Sequence, residues 1–244
     1  MKLIKYLIIL IILFVLVIIF TPLKLYYPHI SQQLRPVQLQ NISGSAVKGS
    51  AESVNYIGMN LGSLSWLTYP SSYNELTVDF NLESPQYDFH GKLSQTPSAQ
   101  ILKDFRGTMD WKQIEKFVNV KYGEISGYFD FNFQTIEIRD EKIHKIIGKA
   151  TSKELKIIKP IQKDIGEIEI DFSTDTPAII AGVVNSKSNV INVSGAVYIH
   201  KNHRWEVKLT LIPMPGEYEI EYLLQGIGEK RPGGGRMLNL AGFY

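Results

Sequence analysis

The sequence has no cysteine among its 244 residues and no surplus of charge, 26 Lys+Arg standing against 24 Asp+Glu. The first absence excludes a disulfide framework, thiolate zinc sites and a cysteine nucleophile. The second removes the basic footprint that nucleic-acid binding requires. Charged residues make up only 20% of the chain and aromatics 11%, which argues against a disordered polypeptide. The length fits one sizeable domain, or two small ones, with a real core, and no Pro/Gly/Ser-rich linker divides the sequence cleanly.

What is present is sharply segregated. From Tyr6 to Phe20 every residue is apolar or aromatic, and Leu3 and Ile4 extend the run across Lys5. The strict run spans about 22 Å as a helix, and adding the residues out to Leu23 gives roughly the 20 needed to cross a bilayer. Nothing in Thr21–Tyr26 offers the pair of small residues that a signal peptidase requires, so an uncleaved anchor is the better reading than a signal peptide. Lys2 and Lys5 precede the span and only Lys24 closely follows it, which predicts a cytoplasmic N-terminus and export of the rest. The expected division is residues 1–27 as tip and anchor and 28–244 as the exported domain.

That domain reads as β-sheet. Leu76, Val78, Phe80 and Leu82 alternate with polar residues, as do Phe129, Phe131 and Phe133, then Ile168, Ile170 and Phe172, then Trp205, Val207, Leu209 and Leu211. Glu217–Tyr222 shows the same period, with Tyr218, Ile220 and Tyr222 on one side. One-sided alternation predicts an antiparallel meander rather than a parallel sheet. Trp111, Ile114, Phe117 and Val118 instead follow helical spacing behind a capping Asp110, so one short helix is expected to dock on the sheet. A sheet of this size is expected to curl and partly close, since open edges invite aggregation. Met237–Leu240 is expected to return as a terminal strand after the glycine-rich loop at Gly233–Gly235.

Motifs that could carry chemistry are weak. Ser45 and Lys48 have the S-x-x-K spacing of acyl-serine enzymes, but the other elements of that class are missing. His200 and His203, three apart in a segment read as a strand, face opposite sides and suit no metal. Gly226–Gly228 and Gly233–Gly235 could cradle a phosphate only at a helix N-terminus, and neither is followed by an amphipathic helix. The sequons at Asn41 and Asn192 are common chance matches. The reading is a non-enzyme with no cofactor and no metal. The apolar stripe can be an ordinary core face or an open groove, and periodicity does not separate the two.

A more specific pattern lies at residues 42–70. Gly44, Gly49 and Ala51 lead to Leu61-Gly62-Ser63-Leu64-Ser65-Trp66, closed by Pro70. This resembles the opening of the type II secretion system protein N family, with a "G…G-x-A" stretch followed by "L-G-x-L-x-W…P". The resemblance implies an accessory, inner-membrane-anchored periplasmic scaffold in a Gram-negative bacterium, with other type II secretion components as partners. The family is also similar to the AsmA-like group, which implies the alternative of a lipid-binding or lipid-transfer module that takes phospholipid on the concave sheet face. A periplasmic hydrolase is a third and more distant reading.

Overall fold

The structure, a computed structural model, describes residues 20–118, 123–173 and 179–243. The chain forms two compact units, Met1–Pro97 and Ser98–Tyr244. The apolar run predicted to anchor the chain falls almost wholly in residues 1–19, outside the described residues. Among the described residues no helix is long and apolar enough to cross a membrane.

The first unit contains helix α1 (Leu23–Ile30), into which the expected boundary at residue 27 falls. Strands β1 (Val37–Gly44), β2 (Lys48–Tyr56), β3 (Met59–Asn60), β4 (Ser63–Ser72), β5 (Glu75–Ser84) and β6 (Tyr87–Gln95) follow. All pair antiparallel in the order β1-β2-β4-β5-β6, with β3 folded back on β2. The register aligns the predicted alternation across strands: Leu64 faces Leu82, Trp66 faces Phe80, and Val78 faces Leu93. One-residue slippage in any strand would turn its apolar set to the other side, so this match fixes the pairing. The opposite face carries polar pairs such as Asp79–Lys92 and Asn81–His90. Two of its residues, Thr77 and Ser94, are buried, and their hydroxyls satisfy each other at 2.9 Å while Ser71 bonds Thr77 at 2.8 Å.

The second unit contains β7 (Gln100–Asp110), α2 (Trp111–Val118), β8 (Glu124–Arg139), β9 (Lys142–Lys159), β10 (Lys163–Ser173), β11 (Ile179–Lys187), β12 (Ile191–His200), β13 (Arg204–Pro213), α3 (Tyr218–Leu224), β14 (Glu229–Lys230) and β15 (Arg236–Phe243). Its strands run antiparallel in the order β7-β8-β9-β10-β11-β12-β13-β15-β14. The expected terminal strand is therefore present as β15, which pairs with β13 from Arg236 to Phe243. The expected helix at residues 110–118 is present as α2, and Trp111 stacks on Phe129 with ring centroids 5.6 Å apart. The remaining members of that stripe, Ile114, Phe117 and Val118, have side chains outside the described residues.

Two expectations are corrected. Tyr218–Tyr222 is not a strand but the helix α3. Its alternation is real, but burial follows i and i+4: Ile220 and Leu224 are inside, while Tyr218 and Tyr222 are 77% and 72% exposed. The strand period carried equal weight in sequence because Leu224 lies beyond the alternating stretch. Partial closure is also corrected. Among the described residues the outermost strands of each unit's order do not pair with each other, so neither unit's strands close into a barrel.

The cores rest on one recurring device. The large aromatics of the apolar face lie opposite glycines: Trp66 faces Gly49, Phe80 faces Gly91, Phe131 faces Gly107, Phe133 and Phe172 both face Gly148, Phe172 also faces Gly182, and Trp205 faces Gly242. A ring crossing onto the neighbouring strand covers backbone that glycine leaves bare. At Gly182 an added Cβ would meet the Phe172 ring at 2.6 Å, so the space is already taken.

Candidate functional site

The motif residues of the first unit converge on the β1–β2 turn. Gly44 and Gly49 pair across it, and Gly44 holds φ +83°, a conformation that a side chain would strain. The Trp66 indole reaches over Gly49 and donates its Nε1–H to the Ser45 carbonyl at 3.1 Å. Ser45 Oγ accepts the backbone N–H groups of Val47 and Lys48 at 3.2 and 3.4 Å. The hydroxyl that S-x-x-K spacing singled out is therefore part of the turn. Ala51 is buried beside this cluster, and Leu64 faces it from β4. Leu61 and Gly62 close the β2 excursion by exchanging backbone bonds with Val54 at 2.6 and 2.8 Å. Pro70 is exposed near the end of β4.

Next to this clamp lies an open groove of about 450 Å³. Its wall is apolar apart from Thr68, with Val54 of β2, Trp66 of β4, Val78, Phe80 and Leu82 of β5 and Leu93 of β6 contributing from neighbouring strands. Leu23 of α1 and Leu39 of β1 complete it, so the groove borders the point where the chain leaves the apolar N-terminal run. Leu76, expected on the same stripe, is 49% exposed and does not line the groove. The Leu39 amide donates to the Tyr27 hydroxyl at 2.6 Å and ties the helix to β1.

In the second unit the stripe is core. Phe129, Phe131, Phe133 and Phe172 form a ladder of rings with successive centroids 6.3, 6.2 and 6.0 Å apart, and Phe133 and Phe172 are buried. Ile168 and Ile170 pack against a second cluster of Val184, Ile191, Val193 and Leu211, which α3 covers with Ile220 and Leu224. Lys163 Nζ donates to Glu217 Oε2 at 2.7 Å and fastens the start of α3 to β10. The ambiguity between core and groove thus resolves differently for the two sets of residues. β5 lines a groove through Val78, Phe80 and Leu82, and β8 and β10 line packed interior.

The polar face of the second unit is an ion ladder. Lys159 meets Glu124 at 2.8 Å, Lys153 meets Glu167 at 2.6 Å, and Lys149 meets Asp171 at 2.9 Å and Glu169 at 3.2 Å. Hydrogen bonds from these lysines hold the carboxyls of Glu124 and Glu167 below their ordinary range, and Asp171 and then Glu169 raise the Lys149 ammonium. Lys208, then Arg204, lowers Glu206 in the same way. Opposite charges facing across strands specify register rather than chemistry.

The other candidates do not assemble. His200 ends β12, while His203 sits in the following turn with φ +62°, so the expected opposition of the two across a strand is corrected: only one of them is in a strand. Gly226–Gly228 follows the C-terminus of α3, where the Ile227 amide bonds the Leu224 carbonyl, the wrong end of a helix for an anion. Among the described residues no group of three or more His, Asp or Glu is placed to hold a metal ion. Sequence reasoning missed the Ser71–Thr77–Ser94 hydroxyl chain, whose only trace was a Thr and two Ser at strand positions that read as solvent-facing.

The motif residues of 42–70 thus sit around the β1–β2 turn and the strand β4 that covers it, and they fall within the stretch that a known family matches. The family described as Type II secretion system (T2SS), protein N matches residues 35–239. The chain belongs to that family. The match covers the clamp, the groove strands and the second unit through the first half of β15. No curated protein and no solved structure matches the chain. Membership in the T2SS protein N family makes the chain a component of type II secretion.

Proposed function

We propose that the chain is a non-enzymatic accessory scaffold of the type II secretion system, held at the inner membrane by residues 3–23 with its two β-units in the periplasm. The family match over residues 35–239 carries this reading. The apolar run Tyr6–Phe20, with Lys2 and Lys5 before it, supports the anchor and its orientation. Sheet edges suit a scaffold, because an exposed strand presents backbone donors and acceptors to a partner's strand. The test is affinity purification of the full-length chain from detergent-solubilised membranes, with protease accessibility measured on intact spheroplasts. Co-purifying secretion components and external cleavage of the β-units are expected. A chain washed off membranes by carbonate, or one that brings down no secretion component, overturns the reading.

The apolar groove of the first unit favours a second reading, in which a phospholipid acyl chain occupies it. Its lining is almost wholly aliphatic and aromatic, and Leu23 places it beside the predicted bilayer exit. Mass spectrometry of the organic extract of gently purified protein is expected to find bound lipid, and Val78→Asp to remove it. A lipid-free extract from the wild type excludes this second reading and leaves the scaffold standing.

A further inference from the structure

The end of the first unit that receives the chain from the apolar run is set apart by its charge. Met1–Ala51 contains no Asp or Glu. There the residues leading into α1 meet the β1–β2 turn in an open cleft of about 400 Å³, lined in part by Phe20, Pro22, Lys24, Gly44, Ser45 and Lys48. Both lysines are exposed, and among the described residues neither forms an ion pair. The first acid of the chain, Glu52, is engaged by Asn41, whose side-chain amide donates to it at 2.7 Å. Asp79, which shares a neighbouring hollow with Lys48, faces Lys92 across β5 and β6. The far end of the same strands has the opposite sign, for Glu83 and Asp88 face each other beside the β5–β6 turn.

Register decides which other turn shares the basic end. Lys48, the first residue of β2, faces Leu67, and β4 runs on from there to Ser72. The β4–β5 turn therefore lies on the same side of the strands as the cleft. Its Tyr73 is wholly exposed, and it adds one acid, the half-buried Glu75. At the cleft itself Phe20 and Leu25 are 76% and 62% exposed. Unpaired cations, bare apolar side chains and an exposed tyrosine thus gather where the apolar run joins the fold.

We propose that this end of the first unit docks on the anionic surface of the membrane that the run Tyr6–Phe20 enters, with Lys24 and Lys48 holding a phospholipid headgroup phosphate in the cleft. The inference rests on the anchor proposed above and adds a second contact to it. Phe20 both ends the run and lines the cleft, so the tether itself brings headgroups to the two lysines at high effective concentration. Anionic headgroups supply the counter-charge that the protein withholds there. Phe20 and Leu25 dip into the interface, and Tyr73 sets its ring at headgroup depth, where rings with a polar tip settle. The acidic pair Glu83 and Asp88 is carried at the end turned away from the bilayer.

The test exploits the absence of cysteine. A bimane label on Ala46→Cys, exposed in the β1–β2 turn, or on Gln86→Cys, exposed in the β5–β6 turn, reports contact with lipids that carry a headgroup nitroxide. The full-length chain is reconstituted into vesicles of phosphatidylglycerol with phosphatidylethanolamine, or of phosphatidylcholine alone. Quenching at 46 is expected in the anionic vesicles and not in phosphatidylcholine, with none at 86 in either. Salt at about 1 M is expected to abolish it. Lys24→Gln and Lys48→Gln are each expected to shift the balance about fivefold toward the undocked state. Lys48→Arg keeps the charge and is expected to keep the quenching. No quenching at 46, equal quenching in phosphatidylcholine, or quenching untouched by both glutamine variants overturns the proposal. The salt and lipid comparisons use the native lysines, so a misfolded variant cannot decide the outcome. Carbonate extraction separates the two levels. A chain stripped from both kinds of vesicle overturns the anchor and the docking together, whereas an inserted chain with an unquenched label at 46 overturns the docking alone.

Discussion

The Trp66 indole occupies the place where a side chain on Gly49 would stand: an added Cβ there would lie 2.5 Å from Cζ2. The two residues face each other across β2 and β4, and neither can be replaced without consequence for the other. Gly49→Val is expected to destabilise the chain by about 1–3 kcal/mol, because backbone and ring both press on the new methyl groups. Urea denaturation followed by tryptophan fluorescence measures it. Trp66→Ala alone removes a large ring and its bond to Ser45, at a cost on the order of 3 kcal/mol. In the double variant the two losses are expected to fall short of their sum, since the clash disappears with the ring.

Phe172 is flanked by Gly148 and Gly182, so neither directly facing position has a side chain to move in if it is truncated. Phe172→Ala is therefore expected at the costly end of core truncations, about 3–5 kcal/mol. Leu76→Ser, at a position half exposed on β5, is expected to stay within about 0.5 kcal/mol of the parent. Denaturant midpoints of the two variants, measured side by side, check the contrast. Equal losses would show that the glycine rows collapse around the missing ring.

Much of this was legible in the amino-acid pattern. The alternation in β5, β8, β10 and β13 gave strand existence and phase, because one buried face imposes a period of two. The helix at Trp111 and the return strand at Met237 followed from spacing and from the glycine-rich loop. What escaped is informative. Ile220 and Leu224 form a helical pair, but the signal was masked by the exposed tyrosines between charged residues. The pairing of aromatics with glycines was invisible because it links residues far apart in sequence, such as Phe133 with Gly148 and Trp205 with Gly242. Whether a stripe is groove or core depends on what covers it, and α3, which supplies the cover over β10–β13, was not read as a helix.

Cover by α3 should be separable from the helix's own exposed ring positions. Ile220→Asp puts a charge into the cluster of Val184, Val193 and Leu211 and is expected to release the helix. Tyr218→Ser, on the exposed side, is expected to leave it in place. Limited proteolysis of the loop at Met214–Glu217 reads the difference: rapid cleavage in Ile220→Asp, and parental resistance in Tyr218→Ser.

The ion ladder sets a pH window. Glu124, Glu167 and Glu206 have folded pKa values lowered below those of the unfolded chain, so their contribution is present above the ordinary carboxylate range. It is lost as pH falls through the depressed folded values. Lys149, Lys153 and Lys159 are raised, so their contribution is complete below the ordinary lysine range and lost as pH rises through the raised values. A plateau of stability between these limits is expected, falling at both ends. Apart from Glu206, whose side chain is mostly covered, these groups lie at the solvent surface, so the plateau is expected to be shallow and 1 M salt to flatten it further. Thermal unfolding across pH at low and high salt measures both effects.

Within each unit nearly every strand bonds to the one made just before it; among the described residues the exceptions are β4, which passes the short β3 to pair with β2, and β14, which with β13 waits for β15. Such wiring closes short loops and seldom long ones, so the chain can assemble in the order of its synthesis. A polypeptide emerging N-terminus first would therefore lay down each hairpin on a finished template, leaving a single growing rim exposed to misassociation at any moment.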